Sequence, residues 1–405
     1  MDPRTNPYAP GAGTQPPALV GRDDQIESFD ILLERLENGR VERAMIITGL
    51  RGVGKTVLLD VFREKAERRG WATVEWEIER RAAFATKVAA QARKALLQIA
   101  PKARWKERAL CAAATLKSFT LTFSPDGALT AGLDVDALAG SADSGSLSED
   151  LADLFVALGE AARDHGIGVI LLLDEIQFLQ PKELEGLIVA LHKCARRALP
   201  ITLVGAGLPQ MPRLAGEAKS YSERLFRFIR IDALDAATHA RDALVLPARD
   251  LGVDFARGAI DSIVDYTQGY PYFLQEYGRI IWDEASASPI STAEAAAALP
   301  IVEEQLDESF FRVRAERTTE LELRYLCAMA ELGAEPQRAT RVARRIDRTV
   351  EQAGPIRSRL IDKGLLYTPG HGLAAFTVPQ FDRYMLRRHA GLLKAGDIVS
   401  RGGAP

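Results

Sequence analysis

The side chains best suited to chemistry lie in a glycine-rich stretch near the beginning of the chain. Residues 49–56 have the sequence GLRGVGKT, which fits the pattern G-x-x-x-x-G-K-[ST]. A loop of this kind turns backbone N–H groups inward, and the helix that follows adds the positive end of its dipole. Lys55 would neutralise the β- and γ-phosphates of a nucleotide, and the Thr56 hydroxyl would be a ligand of Mg²⁺. The pattern therefore predicts a site for a nucleoside triphosphate. The residues expected to contact it here are Gly49, Leu50, Arg51, Gly52, Val53, Gly54, Lys55, Thr56 and Val57.

Two carboxylates follow a second apolar run. Residues 169–173 are VILLL, and Asp174 and Glu175 come directly after them. Ligands of parallel sheets collect at the carboxyl ends of the strands, so these two side chains are expected beside the phosphate loop. Asp174 would hold Mg²⁺ through water, and Glu175 would be the general base that orients the attacking water. The pair extends the prediction from nucleotide binding to hydrolysis, with Lys55 and Glu175 as catalytic residues.

These side chains require a scaffold that brings separate strand ends together. Short apolar segments alternate with helical patterns through about residue 232. Such alternation predicts an α/β fold, with a parallel sheet between layers of helices, and a nucleotide-binding core at residues 18–235. The predicted strands cover residues 44–48, 72–76, 169–173, 201–204 and 228–231.

Two segments depart from this alternation. Residues 1–17 are rich in Pro, Gly and Thr, which predicts a disordered segment. Residues 118–123 alternate polar and apolar side chains, residues 124–127 form a turn pattern, and residues 129–135 alternate again. This predicts a β-hairpin inserted at about residues 117–136. The hairpin is either an oligomer or DNA contact, or an extra pair of strands on the sheet edge.

The second half of the chain is predicted to hold two further parts. Residues 236–317 have a helical pattern, expected to form a lid and a linker helix. Residues 318–390 contain three helical patterns followed by two short strands around the turn at 369–372. Three helices and a two-stranded wing predict a winged helix, followed by a flexible tail at 391–405.

Composition restricts the class of protein. With 47% hydrophobic and 26% charged residues, the chain has the composition of an ordinary globular protein. The apolar run at residues 169–173 is too short to span a bilayer. The cysteines Cys111, Cys194 and Cys327 form no metal-spaced cluster, and no histidine pair at metal-ligand spacing is present. A cytoplasmic protein with no metal other than Mg²⁺ is expected.

Charge is unevenly distributed along the chain. Residues 336–405 carry 13 Lys and Arg against 5 Asp and Glu, whereas residues 1–335 carry 39 against 50. A basic C-terminal part on an acidic body favours contact with a polyanion, although a solvated basic surface would have the same composition.

The motifs together resemble the AAA+/STAND group of ATPases, and in particular bacterial and archaeal AAA family ATPases akin to archaeal origin-recognition initiators. The resemblance depends on Val20-Gly21-Arg22, the loop at 49–56, Leu173-Asp174-Glu175, the GYPYFL sequence at 269–274, and the C-terminal pattern. It covers about residues 18–390. It implies an ATPase core, a small helical lid and a C-terminal winged helix.

The same resemblance implies roles for residues outside the phosphate loop. Val20, Gly21 and Arg22 would contact the adenine base, and Pro271 would lie near it from the lid. Arg224 matches the usual place of an arginine finger, which stabilises transition-state charge, usually from a neighbouring subunit. A surface ion pair is the alternative for Arg224.

Two positions depart from the family pattern. The strand at 201–204 continues into small residues where relatives carry a polar γ-phosphate sensor, and the lid has Pro271 and Tyr272 where initiators place a second arginine. Both departures favour a slow, STAND-like switch over a fast motor.

The second and third helices of the predicted winged helix carry the candidate DNA contacts. Arginines there would bind phosphates with weak sequence specificity, and Gln352 is the candidate base contact. Winged helices also bind proteins, which stays open as an alternative. The candidates are Arg341, Arg344, Arg345, Arg348, Gln352, Arg357 and Arg359.

The resulting hypothesis is a Mg²⁺-dependent, slow ATPase that binds ATP and whose nucleotide state positions a winged helix on double-stranded DNA. The alternative is a STAND-type signalling switch whose winged helix docks on the ATPase core or on a protein partner. A slowly hydrolysing, nucleotide-loaded scaffold is a third hypothesis. Homo-oligomers are compatible with each of them.

Overall fold

The computed structural model describes residues 1–11, 13–80, 83–123 and 135–393. They form two compact units. The sheet unit contains residues 22–49 and the described residues between 55 and 231. The C-terminal unit contains the described residues up to Gly21, residues 50–54 of the phosphate loop, and the described residues from Asp232 onward. No helix in the described ranges is both long enough and apolar enough to cross a membrane.

Five parallel strands form the centre of the sheet unit. They are β1 (Ala44–Thr48), β2 (Ala72–Glu77), β3 (Val169–Asp174), β4 (Ile201–Gly207) and β5 (Phe226–Arg230). Their order across the sheet is β2-β3-β4-β1-β5, and every neighbouring pair is parallel. The predicted α/β class with a parallel sheet is confirmed.

The pairing of the central strands brings the functional segments to one edge. β1 and β4 are buried along their whole length, as expected of strands covered on both faces. Thr48 lies opposite Gly207, and Leu173 lies opposite Gly205. The loop that follows β1 and the carboxylate that ends β3 therefore emerge on either side of β4.

Helices cover the faces of this sheet. A stacked pair of rings joins the first two helices, with 4.2 Å between the centroids of Phe29 and Phe62. The helices are α1 (Asp23–Glu37), α2 (Lys55–Arg68), α3 (Phe84–Ile99), α4 (Glu107–Phe123), α5 (Leu147–His165), α6 (Pro181–Arg196), α7 (Met211–Ala218) and α8 (Ser222–Leu225), with 3₁₀ turns at Lys102–Arg104 and Ile176–Phe178.

The predicted β-hairpin is wrong in its first arm, because residues 118–123 are the last turns of α4. Phe119 is fully buried on the helix face that also buries Leu116, at helical spacing. The Thr120 hydroxyl donates to the Leu116 carbonyl at 2.7 Å, a bond that a helix allows. Burial of one helical face thus outweighs the period-two alternation. The turn and most of the second arm fall in residues 124–134, outside the described residues.

The prediction of disorder for residues 1–17 is wrong for the described residues up to Tyr8. These residues pack within the C-terminal unit. Tyr8 is 4% exposed, and its hydroxyl donates to the carbonyl of Leu244. The Asn6 amide donates to the carbonyl of Arg279 at 2.8 Å. The Tyr8 ring lies against Gly278, where a Cβ atom would be within 2.5 Å of it. Two anchoring side chains therefore fix a segment whose composition suggests disorder.

The middle of the C-terminal unit is helical. Its elements are α9 (His239–Arg249), α10 (Arg257–Thr267), α11 (Pro271–Glu284), α12 (Thr292–Gln305), a π-helical turn at Leu306–Phe311, and α13 (Arg312–Ala315). A capping box at Ser291 and Glu294 begins α12. Tyr272 of α11 stacks on Phe310 of the π-helical turn, with 4.5 Å between the ring centroids.

A mixed domain follows, with three helices, a small antiparallel sheet and a last helix. Its strands are β6 (Gln337–Arg338), β7 (Leu366–Tyr367) and β8 (Leu373–Phe376), and their order across the sheet is β6-β8-β7. The buried Asp307 accepts from Arg388 Nε at 3.0 Å and from Arg387, which ties the last helix of this domain to the π-helical turn. The elements are α14 (Glu320–Leu332), β6 (Gln337–Arg338), α15 (Ala339–Arg345), α16 (Val350–Asp362), β7 (Leu366–Tyr367), β8 (Leu373–Phe376) and α17 (Phe381–His389).

A buried carboxylate holds the helices of this domain together. Glu322 is fully buried and accepts from the Thr319 N–H at 2.8 Å, from Arg359 Nε at 3.1 Å and from Lys363 Nζ at 2.5 Å. Burial alone would raise the pKa of Glu322, but the hydrogen bonds from Lys363, Thr319 and Arg359 hold it below its usual range. One side chain therefore both caps α14 and joins it to α16.

Candidate active site

The loop between β1 and α2 has the backbone geometry that phosphate binding requires. Its first N–H, of Gly49, donates to the carbonyl of Gly207 at 3.1 Å and fixes where the loop leaves the sheet. Gly52 and Gly54 have φ angles of 82° and 93°, in the region that favours glycine. Because α2 begins at Lys55, its first N–H groups lack partners within the helix and face the loop. The loop and the helix N-terminus together form one candidate anion site.

Lys55 is held within this loop. It is 7% exposed, and its Nζ donates to the carbonyl of Gly49 at 3.1 Å. The neighbouring Val53 and Val57 are buried as well. A phosphate oxygen would offer this buried ammonium group a full negative charge.

The Thr56 hydroxyl and the Asp174 carboxylate are in direct contact. Thr56 Oγ1 donates to Asp174 Oδ2 at 2.6 Å, and the Glu175 N–H donates to Asp174 Oδ1 at 2.7 Å. Burial raises the pKa of Asp174, although both hydrogen bonds act to lower it. Two motifs that are far apart in sequence thus meet at the edge of the sheet.

These two side chains fit a magnesium ion. Mg²⁺ prefers oxygen ligands and is usually bound by one or two carboxylates together with water and substrate phosphates. Thr56 and Asp174 supply such oxygens, and a cation would offset the cost of burying the Asp174 charge. Within the described ranges, no group of three or more His, Cys, Asp or Glu side chains could hold a metal ion alone. The arrangement therefore suits an ion that arrives with a phosphate.

Glu175 follows Asp174 in a left-handed backbone conformation, with φ 53° and ψ 36°. Gln177 donates through Nε2 to Glu175 Oε2, and Gln177 Oε1 accepts from the Leu208 N–H at 3.0 Å. The end of β4 thereby orients Gln177, and Gln177 orients the carboxylate. Gln177 is not among the residues predicted from the sequence. Its amide can both donate and accept a hydrogen bond and lies two residues after Glu175, and this position is the feature of the sequence that could have indicated it.

Tyrosines at the start of α11 lie against the phosphate loop. A Cβ atom on Gly52 would be 3.1 Å from Tyr270 Cε1 and 3.3 Å from Tyr272 Cβ. Only a residue without a side chain fits there unchanged. Pro271, the predicted base contact, is the first residue of α11 and is partly exposed.

The predicted adenine-contact residues lie just before α1. Val20 and Gly21 are partly buried, and Arg22 is buried. Gly21 faces the ring of His239, which would lie 2.8 Å from a Cβ atom at this position. Adenine contact by these residues stays a prediction.

Arg224 lies in α8, directly before β5. Its side chain is exposed, and it forms no ion pair with any side chain in the described part of the chain. An exposed arginine is available to a neighbouring subunit, and its role as a finger stays a prediction.

Three of the predicted DNA contacts are engaged inside the C-terminal domain. Arg345 Nε donates to the Glu331 carboxylate at 2.8 Å, and Arg357 donates to the carbonyl of Leu373 at 2.6 Å. Arg359 donates to the buried carboxylate that joins α14 to α16. At least one donor of each side chain has a partner within the fold, and phosphate contact by these three residues stays a prediction.

The other four predicted contacts are exposed. Gln352 accepts from the Thr349 N–H at 3.1 Å, so its carbonyl caps α16. Arg341, Arg344 and Arg348 form no ion pair with any described residue. Arg341 and Arg344 are three residues apart on α15 and therefore share a face.

The phosphate loop also touches the C-terminal domain. The Arg51 N–H donates to the carbonyl of Thr377 at 3.1 Å. The Arg51 guanidinium lies beside Gly364, 2.8 Å from where a Cβ atom would be. Thr377 is fully buried, and its hydroxyl donates to the Gly364 carbonyl at 2.7 Å. The loop therefore contacts a buried, hydrogen-bonded part of this domain.

Family models match two parts of the chain. Residues 18–204, which include the phosphate loop, Asp174 and Glu175, match the model of the AAA ATPase domain. The predicted resemblance to AAA+ ATPases is confirmed. Residues 308–385, which cover most of the C-terminal domain, match a domain of unknown function. Among proteins with curated functions, none is significantly similar to this chain.

Several solved structures are similar to this chain at low sequence identity. A Walker-type ATPase of Pyrococcus abyssi is 14% identical, with a TM-score of 0.52 over 92% of this chain and 97% of that one. The Aeropyrum pernix Orc1 protein in complex with DNA is 15% identical, with a TM-score of 0.44 over 95% of each chain. The Holliday junction branch migration motor RuvB of Thermotoga maritima is 15% identical, with a TM-score of 0.44 over 90% of this chain and 94% of that one. At such identities the first of these shows a common fold, and the other two add no argument about function.

Proposed function

We propose that this protein is a Mg²⁺-dependent ATPase whose nucleotide state controls its C-terminal domain. The hydrogen bond of 2.6 Å between Thr56 and Asp174 carries this proposal, because it joins the phosphate loop to the carboxylate-bearing strand. The match of residues 18–204 to the AAA ATPase domain supports the same chemistry.

Each side chain has a role in this mechanism. Backbone N–H groups of the loop and Lys55 bind the phosphates, and Thr56 and Asp174 hold Mg²⁺, which supplies charge neutralisation when bound. Glu175, oriented by Gln177, accepts a proton from the attacking water as the bond to the γ-phosphate breaks. The buried Lys55 and the left-handed Glu175 backbone are set before substrate arrives, which limits reorganisation during the reaction.

The site assignment is tested by two substitutions. Lys55→Ala should weaken ATP binding by at least about 10-fold, because it removes a charge-assisted contact. Glu175→Gln should retain ATP binding and lose turnover by about 100-fold or more. Arg68→Gln, on the exposed end of α2, is the matched control and should change neither. Wild-type affinity in Lys55→Ala would refute the site, and wild-type turnover in Glu175→Gln would refute the role of the base.

The C-terminal domain is proposed to be a winged helix that binds double-stranded DNA. The order of its elements supports this, since three helices precede the β7–β8 hairpin. The candidate basic side chains that form no ion pair with a described residue are Arg341, Arg344 and Arg348. Contacts of this kind attract DNA of any sequence, so binding should be weakly specific.

Salt dependence measures these contacts directly. A triple Arg341→Gln, Arg344→Gln, Arg348→Gln variant should bind duplex DNA more weakly and flatten log K against log salt by about 2 to 3 units. The triple variant should keep the unfolding temperature of the wild type because these side chains form no ion pairs with the described residues. A slope near zero for the wild-type protein would exclude DNA as the partner.

A second output is favoured by the contact between Arg51 and Thr377. A domain docked on the phosphate loop would be released when ATP reorganises that loop, as in a switch whose output is a protein partner. Hydrogen exchange with and without ATP tests it. Exchange in residues 373–378 should rise on ATP binding, and unchanged protection would exclude the switch.

Two further roles depend on this proposal. Val20, Gly21 and Arg22, with Pro271, are proposed to contact adenine. Arg224 is proposed to complete the site of a neighbouring copy in an oligomer. Mixing the Glu175→Gln and Arg224→Ala variants tests the arginine-finger role, since ATPase activity should be restored only in oligomers that contain both variants. Light scattering gives the mass of the oligomer.

A further inference from the structure

One polar atom beside the phosphate loop has no partner. Tyr270 is 3% exposed, and its hydroxyl makes no hydrogen bond with any residue in the described ranges. This hydroxyl would lie 3.4 Å from a Cβ atom on Gly52, so it is directed at the loop. Burial raises the pKa of the Tyr270 phenol well above its usual range, although the positive charges of Arg314 and Arg51 oppose the change. Tyr270 therefore stays protonated and retains an unused donor, which is costly in a protein interior.

An arginine whose charge acts on the Tyr270 phenol has no anionic partner among the described residues. The Arg314 guanidinium stacks on the ring of Phe310 at 4.0 Å and donates to the Phe310 carbonyl. It forms no ion pair with any carboxylate of the described residues. Burial lowers the pKa of Arg314 to about 10, and the positive charge of Arg51 adds to the lowering. A guanidinium in such a position is stabilised by an anion more than by water.

The packing connects both groups to the loop. Tyr272, which touches Gly52, stacks on Phe310, and Phe310 carries Arg314. Every member of this chain of contacts belongs to the C-terminal unit, as does the phosphate loop from Leu50 to Gly54. The Tyr270 hydroxyl thus lies against a loop whose proposed ligand is an anion, and the Arg314 guanidinium is connected to that loop through Phe310 and Tyr272.

We propose that the Tyr270 hydroxyl and the Arg314 guanidinium bind a phosphate group of the nucleotide held by the loop. This inference rests on the proposed function, since it assigns the ligand of that site two further contacts.

Calorimetric titration with Mg-ATP and with Mg-ADP tests the pair. Tyr270→Phe keeps the ring and removes only the hydroxyl, so the nucleotide-free protein should unfold at the wild-type temperature or above it. Its affinity for ATP should fall by about 10-fold, as expected for a lost hydrogen bond to a charged group. Arg314→Gln should weaken ATP by about 10-fold to 100-fold. Binding of ADP shows which phosphate is contacted, because only a γ-phosphate contact leaves ADP unaffected.

Arg312→Gln is the matched control. Arg312 is exposed, lies on the same helix and pairs with Glu308 at 3.0 Å, so its loss should leave both affinities unchanged. Unchanged ATP and ADP affinities in Tyr270→Phe would overturn the proposal, even if Arg314→Gln failed to fold. An equal loss in Arg312→Gln would also overturn it. Lys55→Ala separates this failure from failure of the whole site, because its affinity must fall whether or not Tyr270 contributes.

Discussion

The two glycines with positive φ in the phosphate loop provide a direct measure of how tightly the loop is packed. Alanine at either position must adopt a left-handed backbone, which costs about 1–2 kcal/mol. Alanine also restricts the conformations of the unfolded chain, which offsets about 0.4–1 kcal/mol of this cost. Gly54 has no atom within 4 Å of an added Cβ, so Gly54→Ala should reduce the free energy of unfolding by about 1 kcal/mol.

Gly52 differs from Gly54 only in its neighbours. A Cβ atom there would meet Tyr270 at 3.1 Å and Tyr272 at 3.3 Å, closer than ordinary van der Waals contact. Overpacking of this kind costs about 1–3 kcal/mol in addition to the backbone term. Gly52→Ala should therefore destabilise the protein by about 2–4 kcal/mol, clearly more than its matched partner.

The assay is denaturant unfolding of the nucleotide-free protein, comparing transition midpoints of the two variants under one condition. Combining Gly52→Ala with Tyr270→Ala should recover part of the extra loss, because the ring that meets the new Cβ is gone. Equal destabilisation by Gly52→Ala and Gly54→Ala would refute the packing of α11 on the loop.

Three other variants test separate parts of the structure. Glu322→Gln should destabilise the C-terminal domain by about 2 kcal/mol, a value discounted because its basic partners are partly exposed. Folding lowers the pKa of Glu322, so its contribution to the free energy of unfolding is complete above its unfolded pKa of about 4.3. That contribution is lost as the pH falls through the folded pKa. The unfolding temperatures of the variant and the wild type should therefore converge in thermal scans at acid pH. In urea titrations Tyr8→Ala should lower the free energy of unfolding by up to about 3 kcal/mol, and Tyr8→Phe should lower it by about 1 kcal/mol. If the N-terminal segment were disordered, neither substitution would change the free energy of unfolding. Asp174→Asn should raise the unfolding temperature of the nucleotide-free protein and abolish Mg²⁺-dependent turnover. The temperature should rise because burial raises the pKa of Asp174, so that its charged form destabilises the fold above that pKa. A lower unfolding temperature in thermal scans would contradict this.

Much of the candidate site could be predicted because its motifs are local. The backbone of residues 49–56 is specified by glycines and by the strand and helix on either side, all adjacent in sequence. Asp174 follows an apolar run that can only be a buried strand, and strand order then brings it to Thr56. These predictions required periodicity and one rule about parallel sheets.

Other parts depended on contacts between distant residues. The alternation at 118–123 is compatible with a strand, and only the burial of Phe119 in the core makes it a helix. The composition of residues 1–17 says nothing about Tyr8, whose anchor is a carbonyl on α9. Propensity and composition describe a segment alone, whereas burial depends on what packs against it.

The sequence by itself determined the α/β class, the phosphate loop and the two carboxylates after β3, since each is encoded in a short continuous pattern. Only the tertiary structure decided which basic side chains have partners within the fold, because Arg345, Arg357 and Arg359 look like Arg341 in sequence and differ in those partners. It also revealed Gln177 beside Glu175, and Tyr270 and Arg314 near the loop, because a hydrogen-bond partner or its absence is a property of the folded chain.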